Sequence, residues 1–370
     1  MRILHIDTGN VMRGGQELLM MTARGLRARG GASGHVQTIA CPAGSPLDKI
    51  AAAEGFPVLH IERPYLKAAR VIRRFLRVHP CDLVSAHDAR AQTVSFLATI
   101  GLRSVRVANR LVVFEPRNLF MHRLKYKFTC DCVVALSSAV KATLVRNGIP
   151  ADHVQVITGG IIFPERIGDV TARERMRAHY GFAPDDFVIG HVAAFTSEKG
   201  QLNALDALRL LLPRHPNMRM ILAGDGPLRD DPKMHERVRA IENLRAGTVQ
   251  LPGYIKPDAG FYAGLDLFLV NSTAEALGLS ALYAMAHEVP VIASRVGGLP
   301  EVVGDTGWLI PPSDTPALAA AIEQAASNLA ALRERGRRSR EHARGFSTEV
   351  TAQRTEALYD QLIRQHLPAK

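Results

Sequence analysis

Residues 266–298 read "DLFLVNSTAEALGLSALYAMAHEVPVIASRVGG". An apolar strand-like run, "DLFLVNS", leads through a polar turn containing Gly278 into an apolar helix. A second strand-like run, "VPVIAS", follows and stops at Gly297 and Gly298. Strand, helix and strand in succession are the signature of a parallel sheet flanked by helices. Inside this unit a lone acid, Glu275, stands just before the helix, and Tyr283 lies eight positions later on it.

The same alternation extends outward in both directions. "MRILHID" is a strand, and "GGQELLMMTARGLRARG" after it runs with helical periodicity through Leu18, Leu19, Thr22 and Leu26. "HVQTIACP", "FPVLHI", "CDLVSAH" and "CVVALS" each precede a helical stretch. Residues 158–170, "TGGIIFPERIGDV", have no period and read as a linker. The pattern restarts with "DFVIGHVAAF", "MRMILAGDG" and "VQLPGY", and ends with "GWLIPP". The expected architecture is two doubly wound α/β domains, residues 1–164 and 165–346. The amphipathic segment from about 347 to 370 is expected to pack back on the first. A chain of 370 residues suits two domains of ordinary size. The charge run "LRERGRRSREHARG" reads as a solvated helix face.

Hydrophobic residues make up 47% of the chain and charged residues 22%, which rules out global disorder. The four cysteines have no metal or redox spacing and read as free thiols in a reducing compartment. The N-terminus carries no signal-peptide pattern, and no apolar run is long enough for a span. The expectation is a cytosolic protein, or one attached only at a membrane surface. Charge is unevenly divided. Residues 1–164 hold 22 Lys/Arg against 10 Asp/Glu, and the remainder 24 against 25. A basic first half points to an anionic partner: nucleic acid, an anionic leaflet or a phosphorylated substrate.

Ligands of open parallel sheets bind beyond the carboxyl ends of the strands, and the polar candidates fall there. Gly14 and Gly15 start the first helix, where backbone amides approach an anion; a tight turn would also explain them. His87 ends a strand in "SAHDAR", placed for a ligand or satisfied internally. Lys199 in "SEKG" is able to neutralise a diphosphate. Gly224 and Gly226 in "AGDGPL", and Gly253 in "VQLPGY", form turns that border a base or ribose pocket or serve only as turns. Glu275, Gly278 and Leu279 combine an acid with a helix start whose amides suit phosphate. Gly297, Gly298 and Glu301 read as structural.

In this order, the Gly-Gly loop, "AHDAR", "SEKG", "AGDGPL", "ALGLSALYAMA", "VPVIASRVGGLPEVV" and "GWLIPP" resemble the retaining glycosyltransferases of family 4. The resemblance covers nearly the whole chain and is nearest to bacterial enzymes of lipopolysaccharide-core and envelope-glycan synthesis. It implies a GT-B fold, with two Rossmann-like domains facing across a cleft. The second domain would hold a nucleotide-sugar donor and the first a glycan or lipid-linked acceptor. Lys199 would bind the donor diphosphate, Glu275 the donor sugar, and His87 would approach the sugar from the acceptor domain. Gly15 would lend its amide to the diphosphate. The departing diphosphate would help activate the acceptor hydroxyl, so no cofactor and no metal are expected.

The chain departs from the family pattern twice. Ala194 stands where many relatives carry an arginine. Tyr283 stands where an acid holds the ribose hydroxyls. Glu288, five residues on, would be turned about 140° off that face of an ideal helix. A phenol makes one hydrogen bond there in place of a bidentate clamp. These losses motivate a second reading, a catalytically degenerate homologue that binds a sugar nucleotide or scaffolds a partner. The basic half lacks a nucleic-acid module, so nucleic acid is not the expected partner. It fits the inner face of an anionic plasma membrane instead. The contacts would be "YLKAARVIRRFLRVHP", with Arg73 and Arg74, and "EPRNLFMHRLKYKF", with Arg117, Arg123 and Lys125.

Overall fold

The structure is a computed structural model and describes residues 1–12, 14–30, 34–62, 64–111 and 118–367. The first half contains β1 (Arg2–Ile6), α1 (Gly14–Arg29), β2 (Val36–Cys41), α2 (Pro46–Ala53), β3 (Val58–His60), α3 (Tyr65–Val78), β4 (Leu83–Ala86) and α4 (Ala89–Thr99). β5 (Val105–Arg110), α5 (Leu119–Thr129), β6 (Cys132–Ala135), α6 (Ser138–Arg146) and β7 (Val154–Val156) complete it. The seven strands form one sheet in the order β3-β2-β1-β4-β5-β6-β7, every pair parallel.

The second half opens with α7 (Val170–His179) and β8 (Phe187–Val192), then α8 (Gln201–Leu211), β9 (Met218–Ala223), α9 (Pro232–Leu244), β10 (Val249–Gly253) and α10 (Ala259–Gly264). It continues through β11 (Leu267–Val270), α11 (Leu279–Ala286), β12 (Val291–Ser294), α12 (Leu299–Val303), β13 (Trp308–Ile310), α13 (Thr315–Ala326) and α14 (Leu329–Ala343). Its six-stranded parallel sheet runs β10-β9-β8-β11-β12-β13. The last helix is α15 (Thr348–His366).

Two compact units result: residues 1–162 with 346–370, and residues 163–345. These boundaries compare with 164 and 346 read from the sequence. Strands β4, β6, β9, β11 and β12 are buried along their whole length, as expected when helices cover both faces of a parallel sheet. Many helices start on a short polar residue that satisfies the free amides of the first turn. Asp88 does so for α4, Ser137 for α6, Asp169 for α7, Asp314 for α13 and Ser347 for α15. α15 belongs to the first unit, where Leu358, Tyr359 and Leu362 are buried against Ile3, Leu26 and Leu83.

The charge run of α14 is solvated on one side only. Leu332, Gly336, Ser339 and Ala343 are buried. Arg340 donates to the carbonyls of Ala286 and Pro164 and lies over the ring of Phe163, 4.8 Å from its centroid. All four cysteines are free and buried. Burial pushes the thiols of Cys41, Cys81 and Cys132 up to about 11 and that of Cys130 to about 12, so they are unreactive. Among the described residues no helix is long and apolar enough to cross a membrane.

Candidate functional site

In each sheet the chain winds outward in one direction, returns to the middle and then winds the other way. β1 therefore has β2 on one side and β4 on the other, and β8 has β9 and β11. Such a switch point leaves a crevice at the carboxyl ends of the two central strands, where adjoining loops diverge. Glycines 14 and 15 follow β1, and His87 follows β4. Lys199 follows β8, and Glu275 follows β11. Five sequence-derived candidates thus lie at the switch points, three in the first unit and two in the second.

In the second unit the loops after β8 and β11 are bonded together. The Lys199 ammonium donates to Glu275 Oε2 at 2.7 Å, with both side chains less than a quarter exposed. Asn271 at the end of β11 donates to the carbonyl of Gly200 at 2.8 Å, and the amide of Thr273 to the carbonyl of Glu198 at 2.8 Å. His191, buried at the end of β8, bonds the carbonyl of Lys199 at 3.0 Å. Burial lowers its pKa to about 4, so the ring is neutral and donates from Nε2. The loop after β12 closes on Glu275 from the other side. Gly297 has φ +53°, and a Cβ there would stand 1.5 Å from the Glu275 carbonyl oxygen. Only glycine fits that approach. The turn read from sequence as structural is therefore what positions the acid.

α11 is preceded by Gly278, which is left-handed and has no side chain to cap the helix. The amides of Leu279 and Ser280 accordingly have no acceptor among the described residues. Gly224, Gly226 and Gly253 line the carboxyl edge beside this site. The amide of Gly224 bonds the carbonyl of Gly253 at 2.8 Å, and a Cβ on Gly224 would stand 1.9 Å from the Ala193 carbonyl. Close backbone approach at Gly224 and Gly226, and a φ of +83° at Gly253, account for these glycines without a ligand. Ala194 is exposed, and its carbonyl accepts from Gln201 at 2.8 Å.

Tyr283 is half-buried on α11, near enough to Tyr262 to add to the upward shift that burial gives the Tyr262 phenol. Glu288 is not on the helix. α11 ends at Ala286, and Glu288 has φ +62° beyond it. There it borders a cavity with Asp186, Asn217 and Asp266, at the amino edge of the sheet. Glu288 is thus removed from position 283 by the termination of the helix, not by rotation around it.

The first unit's switch point is different in kind. His87 is 7% exposed, and among the described residues both of its side-chain hydrogen bonds run through Nε2, to His5 Nδ1 at 3.1 Å and Ser85 Oγ at 3.2 Å. Burial, with the neighbouring His5, holds its pKa well below the usual range for histidine. Asp88, next in sequence, caps α4 and accepts from the Thr8 amide at 2.6 Å, tying the ends of β4 and β1 together. The amide of Gly9 and the side chain of Gln16, in the first turn of α1, bond Asp7 at 2.8 and 3.0 Å.

The proposed acceptor or membrane cations are mostly occupied. Arg73 donates to the carbonyls of Ala98 and Ile100, Arg123 to that of Asn147, and Lys125 to that of Ala89. Burial lowers the pKa of Lys125. Arg74 is exposed, and Arg117 lies outside the described residues. Sequence reading passed over His5, Gln37, Ser85, Asn109, His191 and Asn271. Most are polar side chains in or at the end of a largely apolar, buried strand, and that contradiction was the available signal; Asn109 lies in β5 between Arg106 and Arg110 and carried no such signal.

Residues 12–162 match the family model described as Glycosyltransferase Family 4, and residues 186–328 the model described as Glycosyl transferases group 1. A putative glycosyltransferase, EpsD of Bacillus subtilis, is 28% identical over 236 residues, covering 62% of this chain and 60% of that protein. D-inositol 3-phosphate glycosyltransferase of Saccharomonospora viridis is 32% identical over 261 residues, 66% of this chain and 58% of that protein. The chain thus spans less than two thirds of the length of these curated relatives. Anabaena HepE, solved in complex with UDP, superposes with a TM-score of 0.85 over 98% of this chain and 100% of that one, at 22% identity. That likeness establishes the GT-B fold.

Proposed function

The chain belongs to the glycosyltransferases that combine a family 4 and a group 1 domain, and on that premise we propose that it transfers a sugar from a nucleotide-diphosphate donor, with retention of configuration, to a glycan or lipid-linked acceptor of the bacterial envelope, of the lipopolysaccharide type. The observation that carries the proposal is the Lys199–Glu275 pair beside the uncapped start of α11. An ammonium has three donors, so Lys199 keeps two for diphosphate oxygens while it holds Glu275. Glu275 keeps its second oxygen for sugar hydroxyls. The first amides of α11 supply further donors for phosphate. The leaving diphosphate is then neutralised without a metal ion and activates the acceptor hydroxyl. His87 serves as a sugar contact.

Ala194 and Tyr283 favour a second reading, a homologue that binds the donor without turning it over. One experiment separates the two. UDP, the ligand of the Anabaena neighbour, and other nucleoside diphosphates are screened with their sugars by thermal shift, because a bound ligand stabilises by mass action. Transfer or donor hydrolysis that disappears in Lys199→Ala and Glu275→Ala supports the enzyme; a shift without turnover supports the binding protein.

The site of action is proposed to be the cytoplasmic face of the plasma membrane. Arg70, Arg74, Arg77 and Lys127 are exposed, as are the apolar Leu66 at 62%, Phe120 at 69% and Phe128 at 55%. Cations among exposed apolar groups suit an anionic leaflet. Pelleting with anionic vesicles should be lost at high salt, and equal pelleting with neutral vesicles contradicts the electrostatic contact.

A further inference from the structure

The polar network around His87 contains enough fixed donors and acceptors to determine where its proton sits. The chain begins at a carbonyl, which only accepts. Gln37 Nε2 donates to the Ala23 carbonyl at 3.0 Å, which fixes the amide and turns Oε1 toward His5. His5 Nε2 lies 3.0 Å from that oxygen, so it carries the proton and donates. His5 is fully buried, and desolvation lowers its pKa to about 4, so the ring holds one proton and its Nδ1 is bare. The atom facing Nδ1 is His87 Nε2, at 3.1 Å. Two bare nitrogens at that distance would repel, so His87 Nε2 carries a proton.

The neighbours of Ser85 agree with that direction. Asn109 Nδ2 donates to the Ala86 carbonyl at 3.0 Å, which fixes its amide, and to Ser85 Oγ at 2.9 Å. Ser85 also bonds the Tyr359 hydroxyl of α15 at 3.1 Å. Ser85 therefore has a lone pair for His87 Nε2–H once its own proton goes to Tyr359. The reverse arrangement, with Ser85 donating to a bare His87 Nε2, would leave His5 Nδ1 without a donor.

We propose that Gln37 and His5 are positioning residues which hold His87 as its Nε2–H tautomer, so that Nδ1 presents a lone pair to a substrate hydroxyl. The tautomer follows from the hydrogen-bond chain alone, whereas the hydroxyl contact rests on the glycosyl-transfer reading. A histidine ring nitrogen is otherwise free to be donor or acceptor, and its second hydrogen bond decides which.

The test is a long-range 1H–15N correlation spectrum of the full-length protein labelled on histidine nitrogen, near neutral pH, with His87 assigned by difference against His87→Ala. The expected spectrum shows His87 protonated at Nε2 and bare at Nδ1. Gln37→Leu removes the acceptor that orders the chain and should give His87 a mixture of tautomers. It should also lower kcat/KM about fivefold, the worth of one net hydrogen bond. A wild-type His87 protonated at Nδ1 overturns the proposal, as does an unchanged single tautomer in Gln37→Leu. If that variant fails to fold, the wild-type spectrum still decides. The predicted tautomer in a protein without transferase activity would sustain the chain and count against glycosyl transfer.

Discussion

The two switch points occupy the same place in two similar sheets, yet they handle charge in opposite ways. In the second unit an ammonium and a carboxylate meet at 2.7 Å in a partly exposed loop. Each neutralises the other, and both retain capacity for an anionic, hydroxylated ligand. In the first unit the corresponding groups are two buried neutral imidazoles, with an amide, a hydroxyl and each other filling every ring position but Nδ1 of His87. A buried charge needs a partner, whereas a buried neutral ring needs only a correct arrangement of donors. One site is built to exchange partners and the other to hold its protons in place.

The sharpest way to break this contrast is to remove charge from the second unit. Lys199→Ala and Glu275→Ala should each lower kcat/KM about 100-fold or more, the scale of losing a preorganised electrostatic contact, with little change in the thermal midpoint. Comparable activity in either variant would move the chemistry elsewhere. Adding charge to the first unit should act on stability. His5 titrates at about 4 in the folded protein and near 6.5 when unfolded. The unfolded chain binds the extra proton between these values, so stability is full above pH 6.5 and falls as pH drops toward 4. The contribution is up to about 3 kcal/mol. His191 in the second unit adds a fall of the same sign. His5→Leu should be less stable at pH 7.5 and show a shallower acid decline; an unchanged slope in urea titrations at several pH values would contradict the assignment.

Gly297→Ala tests how Glu275 is held. The strained φ and the Cβ approach should cost about 1–3 kcal/mol, read as a lower urea midpoint, with a drop in transfer activity beyond that of an equally destabilised variant elsewhere. The smallest expected effect is at Tyr283. Tyr283→Glu restores a carboxylate that can take two hydroxyls and should tighten donor binding about tenfold by calorimetry, as charged hydrogen bonds permit. Weaker binding with lost turnover would mean that the phenol has a role of its own.

Much of this was legible beforehand because it depends on short-range order. The run of apolar strands and periodic helices marks two doubly wound units. The candidates fall in the turns after strands because that is where a chain leaving a buried sheet becomes polar. Glu288 shows the limit. An ideal helix extrapolated from Leu279 carries it on the wrong face, but the helix stops at Ala286, where Arg340 of α14 binds the last carbonyl. The cations read from sequence as acceptor or membrane contacts show another. Arg73, Arg123 and Lys125 are basic in sequence, yet their charges are committed to backbone carbonyls of neighbouring elements.

The sequence by itself determined the class of fold, the family and the residue types at the strand ends, since periodicity, turns and motif order are properties of contiguous residues. The tertiary structure decided what those residues are joined to. Lys199 meets Glu275 across 76 positions, and Tyr359 meets Ser85 across 274. Gly297 closes on the carbonyl of Glu275 because β12 lies beside β11. Such contacts follow from strand order and helix packing, which are fixed by the joint burial of distant surfaces and leave no local pattern along the chain.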